Sequence, residues 1–525
     1  MTNHCGIIAA GDAHTAQAGA TILRQGGNAV DAAVAAAFAS FVAEAVLVNI
    51  NGGGVATVHT AAGETVAFDF FADMPRGTLT PQSDFKEIII DFGDARQSFF
   101  IGRAAAAVPG VVAGLCRLAA AYGTLPLKTL LQPAISLAEA GVALSAAQGY
   151  VAHLLRDIFT DTLPVAKMFA SRGKIIAAGD TLRNPALAQT LRLLAEKGAD
   201  VFYRGTLAEK IIADQRAHGG LITAADMAEY RVQKSAPIAV PYRKYTVLLP
   251  PPASVGGVLI AFTLKLLAQF DVPSLVLTGA ARYRLLAEAL RLTNIARRDL
   301  RADAAGVADF LHPAHVRQYV LRLRRILAGE RVSSAEPVFP PTSRDTTHIS
   351  VMDAAGNVAA ITTSAGESGG YFVDDTGMLM NNILGEIDLH PDGFHTAPPG
   401  SRLQTMMSPT IVLRNNTPVL ALGSGGSTRI RSAIVQVLSN VLDFGLPLAD
   451  AVNFPRLHFE ENVLHLEGGT APEIVAALKA QGYTVNVWRG KNMYFGGVHS
   501  VGVLNGEPLA VGDARRGGAA LLVSE

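Results

Sequence analysis

Asp345-Thr346-Thr347-His348 stands where a polar, Pro-rich stretch gives way to alternating apolar residues. A chain cut in front of Thr346 would carry a hydroxyl nucleophile and a free α-amine on one residue. An α-amine with a pKa of about 7.7 to 8.0 can take the hydroxyl's proton near neutral pH, the pairing used by terminal Thr nucleophiles. By spacing alone the tetrad also reads as an ordinary strand start, since Thr favours strands. Ser368 offers a second hydroxyl. Gly366-Glu367-Ser368-Gly369-Gly370 satisfies the G-x-S-x-G pattern of a serine-hydrolase elbow. That pattern needs a helix directly after the Ser, and Tyr371-Phe372-Val373-Asp374-Asp375-Thr376-Gly377 does not read as one.

Other chemistries find less support. The Gly-rich sites Gly52 to Gly54, Gly366 to Gly370 and Gly423 to Ser427 lack the Lys and Ser/Thr of a phosphate loop and do not match the dinucleotide fingerprint. No nucleotide cofactor is expected. The 13 histidines show no H-E-x-x-H spacing, and His390 and His395 flank turn residues, so no metal site is expected. Two cysteines, Cys5 and Cys116, cannot build a disulfide framework or a zinc cluster. Cys116 lies among Gly114, Leu115 and Leu118 and reads as a small buried hydrophobe. Lys+Arg and Asp+Glu both number 44, so the net charge of 0 supplies no general attraction to nucleic acid or anionic membranes. The cluster Arg322, Arg324, Arg325 and Arg331 reads as the solvated face of a helix.

The elements that must position these residues follow from patterning. With 50% hydrophobic and 17% charged residues the chain is globular, and 525 residues at about 150 per domain suggest three or four domains. A helix beginning near His14 stops at Gly26-Gly27-Asn28. Ala29 to Val48, interrupted by Asp31, Ser40 and Glu44, predicts a buried helix and not a membrane span. Met1 to Gly11 shows no secretion signal, which favours a cytoplasmic protein. Gly52 to Gly54 reads as a turn entering the strand Val55 to Val58, with Val66 to Phe71 the next strand. Pro109 to Asp303 is mainly helical, with a fixed loop at Pro250 to Gly257. Residues 326 to 345 read as an exposed linker. Thr347 to Met352 and Val358 to Thr363 form a hairpin around Asp353 to Asn357. Later strands are expected at Thr410 to Leu413, Val419 to Leu422 and His499 to Val503, with helices near Ser432 to Val441 and Pro472 to Gln481, which together suggest layered α/β architecture.

Seven motifs then follow one another along the chain: Leu23 to Ala33, Val108 to Gly114, Gly219 to Thr223, Pro250 to Ser254, Asp345 to His348, Met407 to Thr410, and Gly423 to Ile430. Their residues and order resemble the γ-glutamyltransferase family over nearly the whole chain. The resemblance implies an α/β fold, the four-layer αββα sandwich of N-terminal nucleophile hydrolases. It implies self-cleavage between Asp345 and Thr346 into a large piece (1–345) and a small piece (346–525) that remain together in one domain as a heterodimer, alone or dimerised further. Thr346 matches the nucleophile, Gly426 and Ser427 the backbone N–H pair of the oxyanion hole, and Ser364 the hydroxyl that hydrogen-bonds the nucleophile. Glu386, after Asn381-Asn382, matches the acidic group for the glutamyl α-ammonium.

Departures fall at the substrate end. Phe71 takes the place of the Arg that pairs with the α-carboxylate, Ile383 replaces a polar ligand of the amine, Gly366 replaces an Asn, and Thr405-Met406 replace a Ser-Ser pair. A Phe cannot make a guanidinium's bidentate pair. The expected substrates are small amides: γ-glutamyl amides such as glutathione, or alternatively a different carboxylate-bearing amide. A serine hydrolase using Ser368 and an inactive binding homologue are the other readings. No cofactor, nucleic acid or membrane partner is expected.

Overall fold

Alternation along the strands separates two faces, and the faces build the layers. A computed structural model of the protein describes residues 4–91, 96–171, 173–330, 346–390 and 393–524; Asp345, Arg331 and most of the Pro-rich stretch lie outside them. Thirteen strands make the two main sheets, here β1 His4–Ala10, β2 Gly53–His59, β3 Thr65–Phe70, β4 Gln233–Ser235, β5 Ile238–Tyr242, β6 Tyr245–Leu249, β7 Thr347–Asp353, β8 Val358–Ser364, β9 Thr410–Arg414, β10 Thr417–Gly425, β11 Gly497–Leu504, β12 Glu507–Val511 and β13 Ala519–Ser524. The first sheet runs β4-β3-β2-β8-β7-β1-β13 and the second β5-β6-β9-β10-β11-β12. Every pairing in them is antiparallel.

On β1, Ile8 and Ala10 face a helical layer while Ile7 and Ala9 face the other sheet; on β10, Leu420 and Leu422 face helices and Ala421 faces inward. The core between the sheets joins Ile7, Ala9, Met352, Val358 and Ala360 to Leu248, Ile411, Leu413, Ala421 and Val501. Alanines there let the two sheets approach closely. Helices α1 (Ala13–Arg24) and α2 (Ala29–Ala43) cover the first sheet. Helices α3 (Val255–Leu267), α4 (Ala280–Ala296) and α5 (Arg429–Leu442) belong to the layer outside the second. The αββα order is the one the resemblance implies.

All 15 residues of α2 are buried, which explains its Ala-rich composition, since neighbours on every side leave no room for larger side chains. A capping box at Asn28 and Asp31 starts it, and Asp31 also accepts from the Thr124 N–H and hydroxyl. The helix stops at Ala43, short of the expected Val48, because Glu44 leaves helical geometry and engages side chains of other elements. Gly53 and Gly54 are not a turn but already part of β2. A Cβ on them would stand 2.8 Å from the Phe71 ring and 2.4 Å from the Phe70 ring. Arg322, Arg324 and Arg325 lie on the helix Pro313–Leu327, with Arg324 and Arg325 exposed as expected of a solvated face.

The chain on either side of residues 345/346 is interleaved in the first sheet. β8 and β7 sit between β2 and β1, and β13 flanks β1 on its other side. Strands from both sides of that point therefore share one sheet.

Candidate active site

Thr346 immediately precedes β7, at the point where the β7-β8 hairpin register pairs Thr347 with Thr363. That register brings the last residue of β8 beside it: the Thr346 hydroxyl donates to Ser364 Oγ at 3.3 Å, and Ser364 Oγ accepts from the Gly366 N–H at 3.4 Å. Thr346 is 5% exposed. Its carbonyl accepts from Arg516 Nη1 at 3.4 Å and presses on Gly425, where an added Cβ would stand 2.2 Å away. His348, two residues on, faces away from the pocket. It lies between the sheets with Thr362 Oγ1 and Ser350 Oγ on its ring nitrogens, and burial holds it well below the usual imidazole range. Its ring occupies the space beside Gly423, whose missing side chain would stand 2.3 Å from it.

Gly426 and Ser427 form the turn between β10 and α5, with φ of +118° and +48°. Gly426 needs to be glycine, since that φ strains any L side chain. The helix that follows aims its N-terminal end, a region favourable to negative charge, back at this turn. Thr428 fixes the helix start by donating to Glu460 Oε1 at 2.7 Å.

Thr346, Ser364 and Ser427 open onto a narrow pocket whose remaining walls are Phe71, Glu386, Leu389, Thr405, Met406, Met407 and Ile430. Among the described residues, no Lys or Arg lines it. Phe71 is fixed at both main-chain ends: its N–H donates to Asp69 Oδ1 at 2.8 Å and its carbonyl accepts from Tyr230 Oη at 2.6 Å. Arg402, three residues before Thr405, is committed to Asp69 (2.7 Å) and Asp73 (2.5 Å) and stacks on Tyr230. Thr405 Oγ1 accepts from the Met407 N–H, and Ser254, from the Pro-rich loop, donates to the Met407 carbonyl at 2.6 Å.

Asn382 lies behind this pocket and does not line it. Its amide donates to the Phe100 carbonyl at 3.2 Å, while Oδ1 points at Gly366, where a Cβ would stand 2.1 Å from it and 2.7 Å from Glu386 Oε1. With a φ of +65° as well, position 366 excludes a side chain, so the Gly in place of Asn is coupled to Asn382. Ser368 also lies off the pocket wall. Its Oγ accepts from the Gly370 N–H, and the short strand Phe372–Val373 follows instead of the helix an elbow needs. Cys116 is held in its thiol form, pushed up to about 12 by burial. Wider surface grooves, between α1 and the helix Leu127–Ala140 and beside Tyr203 and Tyr230, hold neither Thr346 nor Ser364. Sequence reasoning missed Leu389, Met407 and Ile430 as wall residues, because apolar side chains carry no local mark of lining a site.

Two antiparallel sheets between helical layers, with a hydroxyl residue heading a central strand, define the N-terminal nucleophile hydrolase class. Within it the profile of the gamma-glutamyltranspeptidase family matches residues 15–523, and the chain belongs to that family of amide-hydrolysing and acyl-transferring enzymes. The acylase ACY 1 proenzyme of Pseudomonas sp. (strain SE83) is 35% identical over 488 residues, 91% of this chain and 87% of its own. The glutathione hydrolase proenzyme of Escherichia coli (strain K12) is 32% identical over 510 residues, 91% of this chain and 86% of its own. Among solved structures, the cephalosporin acylase from Bacillus halodurans superposes with a TM-score of 0.85 at 26% identity, covering 99% of this chain and 96% of that one.

Proposed function

We propose that Thr346 is the nucleophile of a self-processing amidase and acyltransferase, and that its preferred substrates are amides whose acyl group lacks an α-carboxylate. The observation that carries this reading is the composition of the pocket around Thr346: hydroxyls at one end, Phe71, Leu389, Met406, Met407 and Ile430 beside Thr405 and the Glu386 carboxylate along the walls, and no cation among the described lining residues.

In processing, Thr346 Oγ attacks the carbonyl of Asp345, its proton passes to the Thr346 nitrogen as the C–N bond breaks and frees the amine, and water hydrolyses the resulting ester to release the Asp345 carboxylate and restore the Thr346 hydroxyl. In turnover that amine takes the Oγ proton while Oγ attacks the substrate carbonyl. The oxyanion faces the Gly426-Ser427 turn, where a preorganised donor contributes roughly 10² to 10³ in rate. Collapse expels the substrate amine carrying the proton, and water or a second amine then takes the acyl group. Ser364, in contact with Oγ, orients it throughout.

An α-carboxylate would find no counter-ion among the described lining residues, at a cost of several kcal/mol, since Phe71 stands where a guanidinium would be needed and Arg402 is spent on Asp69 and Asp73. The acylase relative supports an acyl group other than γ-glutamyl, and the glutathione hydrolase relative supports the γ-glutamyl one. Glu386 favours a second reading, in which an acyl group bearing an ammonium, as in γ-glutamyl amides, is still accepted. Denaturing electrophoresis and a donor panel test both. Fragments beginning at Met1 and Thr346, absent in Thr346→Ala, are expected, with amides lacking an α-carboxylate turned over faster than γ-glutamyl anilides. An intact chain after prolonged incubation sinks the nucleophile, and γ-glutamyl anilides as the best donors sink that preference.

A further inference from the structure

Glu44 has no place in the steps above, yet it is fully buried beneath the residue that follows the nucleophile. It stands at the C-terminal end of α2, with Asp12 at the N-cap of α1 close by. One carboxylate oxygen accepts from the Thr15 hydroxyl at 2.7 Å and the other from the Thr347 hydroxyl at 2.6 Å. Gly11 leaves room for this contact. A Cβ there would stand 2.3 Å from Glu44 Oε2 and 2.4 Å from Thr347 Oγ1. The charged groups facing Glu44 are Asp12, which is itself bound by His14 and Gln148, and Arg516, which also reaches the Thr346 carbonyl.

Along β7 the side chains alternate. Ile349 and Val351 face the helical layer, and Thr347 shares their face, whereas Thr346 opens into the pocket on the other side. The backbone that carries the nucleophile is therefore pinned from both faces, by Glu44 through Thr347 on one and by Gly425 and Arg516 at the Thr346 carbonyl on the other. We propose that Glu44 is a positioning residue: its carboxylate holds the Thr347 hydroxyl and, through one peptide unit, sets where Thr346 Oγ stands. This rests on the assignment of Thr346 as nucleophile.

Burial and Asp12 raise the Glu44 carboxyl to about 7, against the opposing pull of the Thr347 and Thr15 hydroxyls and Arg516. Above that pH both oxygens accept. Below it one oxygen carries a proton, and one of the two hydroxyl contacts must reverse or break. Self-cleavage reports this separately from turnover, because the α-amine of Thr346 is still in a peptide bond.

Full-length precursor made in a short cell-free pulse is followed by denaturing electrophoresis across about pH 5 to 9, a range that brackets the carboxyl's titration. The wild-type rate is expected to rise with an inflection near 7, and Glu44→Gln, which keeps both contacts possible, to lose the inflection while processing faster than Glu44→Ala. Thr347→Val, with folding checked by circular dichroism, is expected to slow processing about tenfold or more, as small misplacements of reacting groups do. A precursor that never splits overturns the Thr346 assignment and this one with it. Splitting with the inflection intact in Glu44→Gln, or at the wild-type rate in Thr347→Val, overturns the role of Glu44 alone.

Discussion

Single side chains decide what this pocket can accept. Phe71 is buried against Gly53 and held by Asp69 and Tyr230, so the wall it forms is rigid. Phe71→Arg is expected to raise kcat/KM for donors bearing an α-carboxylate about tenfold or more relative to those without, the worth of one hydrogen-bonded charge pair. The ratio measured over matched donors checks it. Glu44 makes a second prediction, on stability. Its carboxyl keeps its proton up to about 7 in the fold but gives it up near 4.5 in the unfolded chain. Between those values the native state binds more protons, so this contribution to stability is complete below pH 4.5 and is lost as pH rises through 7. Glu44→Gln should flatten that slope in denaturant titrations. These residues were unequally legible: Phe71 was visible as a departure from a motif, whereas Glu44 read only as an interruption of an apolar window.

At the scale of elements, the strand that lies beside the Gly426-Ser427 turn is fixed by ion pairs in the interior. Asp513 is held far below the ordinary carboxylate range despite burial, because Arg456 and Arg515 flank it and the Val498 and Arg515 N–H groups donate to it. Glu467 clamps Arg515 from the other side. This network anchors the segment that delivers Arg516 to Thr346 and Gly425. Removing one partner of a buried pair leaves a charge without compensation and costs about 3 to 5 kcal/mol. Asp513→Ala is therefore expected to lower the denaturation midpoint sharply, with Asp513→Asn intermediate; equal midpoints would contradict the argument. Sequence patterning located β7, β8 and the start of α2 well, since alternation and capping are local. It read Gly53-Gly54 as a turn because the rings that require those glycines, Phe70 and Phe71, lie on the neighbouring strand.

For the whole molecule, interleaving governs what a cut can do. A break between residues 345 and 346 would leave β7 and β8 of the small piece between β2 and β1 of the large one. The pieces could part only by tearing a central sheet and exposing the core on both its faces. They should co-elute as one particle in native size exclusion and separate only in denaturant. Separation under native conditions would refute this topology.

The sequence by itself determined the family, the αββα class, the hydroxyl at position 346 and the departures from the family's motifs, because these are written as residue types at fixed spacings. Tertiary structure decided which of them meet. Hairpin register set Ser364 against Thr346, the Gly366 backbone made room for Asn382 and Glu386, Asp69 and Asp73 took Arg402 away from the pocket, and α2 ended where Glu44 could reach Thr347. Each of those outcomes depends on groups hundreds of residues apart or on different elements, and packing in three dimensions is what brings them within reach of one another.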